Sequence, residues 1–192
     1  MRAATAMVML ISTSAMAEAG WLSARGRIER NLRIEAWGGT RSVGAGVLRS
    51  DESNPRAALT GELVYAYFDR ALELRGARVW QLTTHDFTNV TFSAGGAAHL
   101  VPENIDGGLG PHAALTFSFG GPVFAVNLGL QTGAELFFRA LYWRLPERIS
   151  LGVQFRTGDW ALSLVGRTGV DIIPTGFVLR GEAMLSLSWL AL

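Results

Sequence analysis

The sequence predicts an all-β chain closed into an up-and-down antiparallel transmembrane barrel of about ten strands, with eight or twelve left open. Three observations carry that expectation. Hydropathy alternates with period two almost everywhere beyond residue 26, where a helix would repeat every ~3.6 residues. Hydrophobic residues make up 49% of the 192 and charged residues only 17%, well under the roughly 25% of an average soluble domain. The polar positions of the alternation hold Ser, Thr, Asn, Gln, Gly and opposite-sign pairs, where a soluble surface would carry a coat of unpaired charge.

Taken in order, the chain opens on a segment that reads as a leader. Met1-Arg2 supplies a positive start, Ala3 to Ser14 an apolar stretch, and Ala15-Met16-Ala17 a small-residue cleavage site. Residues 1–17 are thus expected to be a signal peptide, 18–26 a short periplasmic segment and 27–192 the barrel. No later stretch offers the ~18 uninterrupted apolar residues of a membrane helix. The expected strands are 27–37, 58–68, 71–83, 87–100, 110–120, 122–131, 135–145, 148–157, 159–169 and 176–192, with 41–49 as a weaker eleventh. Choosing ten treats 38–57 as a long first loop. Asp69-Arg70, Gly120-Gly121, Thr132-Gly133, Pro146-Glu147 and Thr157-Gly158-Asp159 read as hairpin turns. Residues 101–109 and 170–175 read as surface loops.

Each strong strand has one oily and one polar face. Leu72, Leu74 and Trp80 oppose Glu73, Arg75 and Gln81; Val90, Phe92 and Ala98 oppose Asn89, Thr91 and His99. Leu115 and Phe117 oppose His112 and Thr116, while Leu136, Phe138 and Tyr142 oppose Glu135 and Arg139. Ile149, Leu151, Val153 and Phe155 oppose Ser150, Gln154 and Arg156, and Leu185, Leu187 and Trp189 stand against Arg180, Glu182 and Ser186. Alternation alone suits a soluble barrel with an oily core or a membrane barrel with an oily outside. The amide-rich, charge-paired polar face favours the second, since buried charges persist when paired and hydrogen-bonded. Tyr65, Tyr67, Trp80, Phe87, Tyr142, Trp143, Trp160, Phe177 and Trp189 fall near strand ends, where interfacial girdles form.

On these features the sequence resembles a small Gram-negative outer-membrane β-barrel protein, OmpA/OmpX-like in the broad sense. The resemblance spans nearly the whole chain after the leader and rests on architecture. It implies residence in the outer membrane, contact with outer-membrane lipid and with the outer-membrane assembly machinery, and a monomer.

Composition excludes several function classes. There is no Cys, hence no disulfide, thiolate catalysis or thiolate metal site. A net charge of +1 with no basic block gives no nucleic-acid surface. Of three histidines, His99 and His112 flank the 101–109 stretch with its Glu103 and Asp106; a hydrogen-bonded lumen role is the plainer reading, a general base or metal ligand the sharper one. No His-x-Ser motif of a barrel-type lipid hydrolase is present, and Ser93 and Ser118 lie ~20 Å along the strand from His99 and His112. Gly44-Ala45-Gly46 and Gly95-Gly96 are read as strand glycines beside bulky neighbours, without the following helix of a phosphate loop. The expected lumen cluster is His99, His112, Glu73, Arg75, Glu135, Arg139, Arg156, Arg180 and Glu182, with no catalytic residue, metal or cofactor assigned. The reading that results is a structural or surface-interaction barrel with a largely plugged lumen. A narrow porin-like channel for small solutes is the alternative, ahead of a lipid-acting hydrolase and a soluble periplasmic ligand-binding barrel.

Overall fold

The computed structural model describes residues 32–191 apart from Phe68, Asp86, Ile105, Pro122 and Ala140. The expected leader 1–17, the segment 18–26 and the beginning of the first strand lie outside the described residues. Eleven strand segments follow: β1 (Leu32–Gly39), β2 (Ser42–Asp51), β3 (Asn54–Ala66), β4 (Ala71–Thr84), β5 (Thr88–Val101), β6 (Asp106–Gly120), β7 (Phe124–Gly133), β8 (Glu135–Phe137), β9 (Tyr142–Thr157), β10 (Trp160–Ile173) and β11 (Gly176–Ala191). Among the described residues one 3₁₀ turn, Pro102–Asn104, follows β5.

All pairings are antiparallel, and β11 returns to β1 with Leu32 opposite Ala191 and Gly39 opposite Met184. The sheet therefore has no free edge, and no strand presents a row of unpaired backbone groups to its surroundings. Segments β7 and β8 both lie between β6 and β9 in one unbroken register and form one stave, giving a closed barrel of ten staves.

Why β7 and β8 separate is visible in their neighbours. The register that sets His112 opposite Gly133 and Leu109 opposite Leu136 puts Pro111 opposite Ala134, whose N–H donates to the Pro111 carbonyl at 3.0 Å. Proline has no N–H to return. On the other side, Pro146 of β9 packs against Gly133, its Cγ 3.1 Å from where a Gly133 Cβ would stand. Two missing donors interrupt the ladder without breaking the stave.

Three sequence expectations change here. The stretch 38–57 is not a long loop: it contains β2, because Val43, Ala45 and Val47 alternate outward against Ser42 and Leu48 inside. Pro146-Glu147 and Thr132-Gly133 are not turns. β9 runs through Pro146, and the true hairpin lies between Phe137 and Tyr142, where Leu141 takes φ 46. Residues 101–109 and 170–175 are mostly strand, leaving connections of two to four residues at both ends of the barrel. Ten staves are kept because one expected loop is a strand, and two expected strands (135–145 and 148–157) recombine into the end of one stave and the whole of the next.

The lumen is not uniformly polar. Trp37, Val64, Val165 and Met184, from β1, β3, β10 and β11, meet across it as a buried apolar cluster. Gly44 makes this arrangement fit: a Cβ there would stand 2.4 Å from Trp37 Cζ2. Outside, the opposite parity presents an oily belt, with Leu74 61%, Leu151 58% and Leu164 56% exposed.

Candidate functional site: a charge network across the lumen

The inward parity of β4, β5, β8, β9, β10 and β11 brings most of the chain's buried charge together. Glu73 and Arg75, two apart on β4, share a face, and Arg75 Nε donates to Glu73 Oε1 at 2.6 Å. His99 of β5 stands opposite Glu73 in register, its Nε2 3.5 Å from Glu73 Oε1 and 3.1 Å from Glu135 Oε1. Glu135 of β8 faces Arg144 of β9, whose Nε donates to its Oε2 at 2.5 Å. Arg144 leans to within 3.8 Å of Asp171 on β10. Asp171 is fully buried and also receives Arg148 and Arg180, the latter at 3.1 Å. A second arm joins Arg167 Nη2 to Glu182 Oε2 at 2.6 Å, and Ser42 Oγ donates to Glu182 Oε1 at 2.6 Å.

The result is a chain of alternating charge from β4 to β11 that ties both walls of the barrel together. Aromatic contacts reinforce it: the Phe137 ring stacks on Tyr142 at 4.6 Å, lies 5.6 Å from His99, and has the Arg144 guanidinium 5.3 Å from its centroid. At the mouth formed by Arg41, Arg148, Arg167, Arg180 and Glu182 the void is about 10 Å³, barely the space of one water.

Glu73, His99 and Glu135 offer ligand atoms within 4.8 Å of one another, the spacing of a cation site. The donor set does not fit a divalent ion well. Each carboxylate already accepts from a guanidinium, and an ion placed between them would sit beside Arg75 and Arg144.

Of the nine residues expected in the lumen cluster, Glu73, Arg75, His99 and Glu135 form the centre of this network, and Arg180 and Glu182 its far arms. His112 is inward and buried, with no hydrogen-bond partner for its ring nitrogens among the described residues. Arg139 and Arg156 do not belong. Arg139 is exposed at the β8–β9 hairpin, its N–H donating to Asp106 at 2.9 Å; Arg156 sits at the opposite rim, donating to the Gly158 carbonyl at 3.1 Å. Asp106 and Glu103 do not join the histidines either, since Glu103 is at the rim with Arg70. Neither histidine faces a serine across strands: Glu73 and Gly108 oppose His99, and Gly95 and Gly133 oppose His112.

Sequence reading missed Arg144, Arg148, Arg167 and Asp171. The signal was parity. Inward residues are odd-numbered in β8 and even-numbered in β9, because the four residues between Phe137 and Tyr142 reset the phase. The same reset turns Tyr142 inward and out of the girdle, where Trp143 takes its place. Trp37 likewise points into the lumen at 3% exposure.

With the charged face sealed inside and Leu, Val and Phe covering the outside, only hydrocarbon suits the outer wall. The chain is a transmembrane β-barrel. Its aromatic rims fit the interfaces: Tyr65, Tyr67, Trp143 and Phe177 toward one end, Phe87, Trp160 and Trp189 toward the other. No helix among the described residues is long and apolar enough to cross a membrane.

No protein-family model matches the sequence, and no curated protein is similar to it. Among solved structures it is similar to the N-terminal β-barrel domain of Pseudomonas aeruginosa OprF, at 12% identity and TM-score 0.42, covering 85% of this chain and 98% of that one. It is similar also to the COG4313 outer membrane channel from Pseudomonas putida F1, at 9% identity and TM-score 0.47, covering 83% and 94%. A third is the KdgM porin in complex with disordered oligogalacturonate, at 7% identity and TM-score 0.41, covering 83% and 98%. These likenesses are of general barrel shape and add nothing about a role.

Proposed function

We propose that this barrel is a plugged, structural element of the outer membrane that acts through its surfaces and not as a pore. The observation that supports this reading is the buried chain from Arg75 through Glu73, His99, Glu135 and Arg144 to Asp171, which lines the lumen from β4 round to β10 on the opposite side of the ten-stave ring. An aqueous path would have to part buried ion pairs, and separating one costs on the order of 3–5 kcal/mol. Beside it, the Trp37 cluster fills the section between β1, β3, β10 and β11 with apolar side chains.

Planar-bilayer recording on the purified full-length protein tests the proposal. The plugged reading expects no resolved unitary steps, whereas steady conductance that survives in Glu135→Ala/Arg144→Ala unchanged would favour the narrow channel and reject the plug. A hydrolase would instead lose lipid-cleaving activity on His99→Ala with the folded, heat-shifted gel band retained.

A further inference from the structure

The connections at both ends are short, and a built feature outside the lumen lies on the lipid-facing wall. A groove of about 690 Å³ crosses β5 to β11 there, within the ~300–1,000 Å³ range of small-molecule sites. Its walls are Phe92, Leu115, Leu130, Ile149 and Leu179, all on the outward parity, and its lining also includes Thr132 and Glu147.

Glu147 is the anomaly. It occupies an outward position of β9 between Trp143 and Leu145 on one side and Ile149 and Leu151 on the other. Four residues of strand place it ~13 Å along β9 from Trp143, which at a strand tilt of ~40° is ~10 Å below the girdle, at hydrocarbon depth. An ionisable side chain facing lipid is costly and is by default a functional position. Thr132, opposite Glu147 in register, donates from Oγ1 to Glu147 Oε1 at 2.6 Å, which holds the carboxylate in the groove. That hydroxyl is its one side-chain partner among the described residues. The neighbouring Arg148 points the other way, into the lumen, and is bound to Asp171.

We propose that the groove binds an alkyl-chain amphiphile carrying an ammonium group, its chain along the apolar walls and its N–H donors on Glu147. Its apolar walls from Phe92 to Leu179 suit an alkyl chain. The charge asks for a cation. Among the described residues a second copy supplies none at that depth, because the outward Arg49 and Arg78 are held by Glu52 and Asp51 near the opposite rim. The site stands whether or not the lumen conducts.

Native mass spectrometry of the folded full-length protein with dodecylamine as probe, and dodecanoate as its anionic match, tests this. The expected result is one retained equivalent of dodecylamine, with retention lowered roughly tenfold or more by Glu147→Gln, the size of one lost charged hydrogen bond. Dodecanoate should be retained as weakly as dodecylamine is by that variant. Ala113→Trp, which fills the groove and leaves Glu147 in place, should abolish retention and keeps the test open should Glu147→Gln fail to give the heat-shifted band. Equal retention by wild type and Glu147→Gln, equal retention of dodecanoate, or a Glu147-dependent cross-linked dimer in place of the bound amine would each overturn the proposal.

Discussion

Arg75 shows how a single residue is tolerated inside a membrane wall. Its guanidinium is 2% exposed at the side chain and lies against Glu73, so removing the carboxylate withdraws the closest charge from a group that stays ionised. Glu73→Gln is expected to destabilise the barrel by about 3 kcal/mol, and Glu73→Gln/Arg75→Met to recover most of that loss, as read from urea midpoints in detergent micelles. A recovery of less than half would mean that Arg75 depends mainly on other partners. Gly44 makes the complementary point about space. Gly44→Ala should cost about 1–3 kcal/mol by pushing on the Trp37 indole, whereas Gly61→Ala, whose Cβ would meet Val47 Cγ1 at 3.7 Å, should leave the same midpoint within about 0.5 kcal/mol. Much of this was readable beforehand. Glu73, Arg75, His99 and Glu135 come together because strict alternation fixes their face, and Gly44 was expected beside a bulky neighbour. Arg139 and Arg156 were not placed correctly, because alternation fixes a face but not the height at which a strand leaves the barrel.

At the scale of elements, the instructive case is the stave made of β7 and β8 with its neighbour β9. Proline reads as a stop in sequence, and Pro146-Glu147 was expected to turn the chain. In the barrel it is tolerated because its missing N–H falls opposite Gly133, where Pro111 has weakened the ladder from the other side. Two donors are lost at one level of the wall. Pro111→Ala is therefore expected to fold, to gain about 0.5–1.5 kcal/mol, and to show a slowly exchanging amide at position 111 bonded to the Ala134 carbonyl. A fast-exchanging amide there would contradict the register. The same element explains the missed half of the network. Reading 135–145 as one strand carries the phase of Glu135 forward and sends Arg144 to the lipid side, whereas the hairpin after Phe137 brings it back. Turn position, set by which residues accept a positive φ such as Leu141, was the quantity hydropathy could not supply.

For the molecule as a whole, closure and filling are separate sources of rigidity. Closure removes the edges; filling joins opposite walls through buried pairs. The unheated protein should migrate as a compact band in SDS gels and shift on boiling, since detergent finds no open strand to pair with or peel away. Fold class and the oily outside were readable from composition and alternation, because a membrane wall imposes the same rule on every strand, whereas the count of ten came out through compensating assignments, 38–57 hiding a strand and 135–157 splitting at the wrong place. The short connections were not, since Gly, Pro and Asp mark a break without fixing its length. One consequence concerns the order of events in assembly. Nine of the ten seams join neighbours in the chain and can zip as hairpins, but the tenth joins β1 to β11, across almost the whole length of the chain. It is the costliest loop to close and has the highest contact order. Side chains fasten it: Arg33 donates to Ser188 Oγ at 2.6 Å, Ser42 to Glu182, and Thr40 Oγ1 accepts from the Ala183 N–H at 3.3 Å. Residues that complete the lumen network are thus also the clasp of a ring that stays open until its last strand arrives.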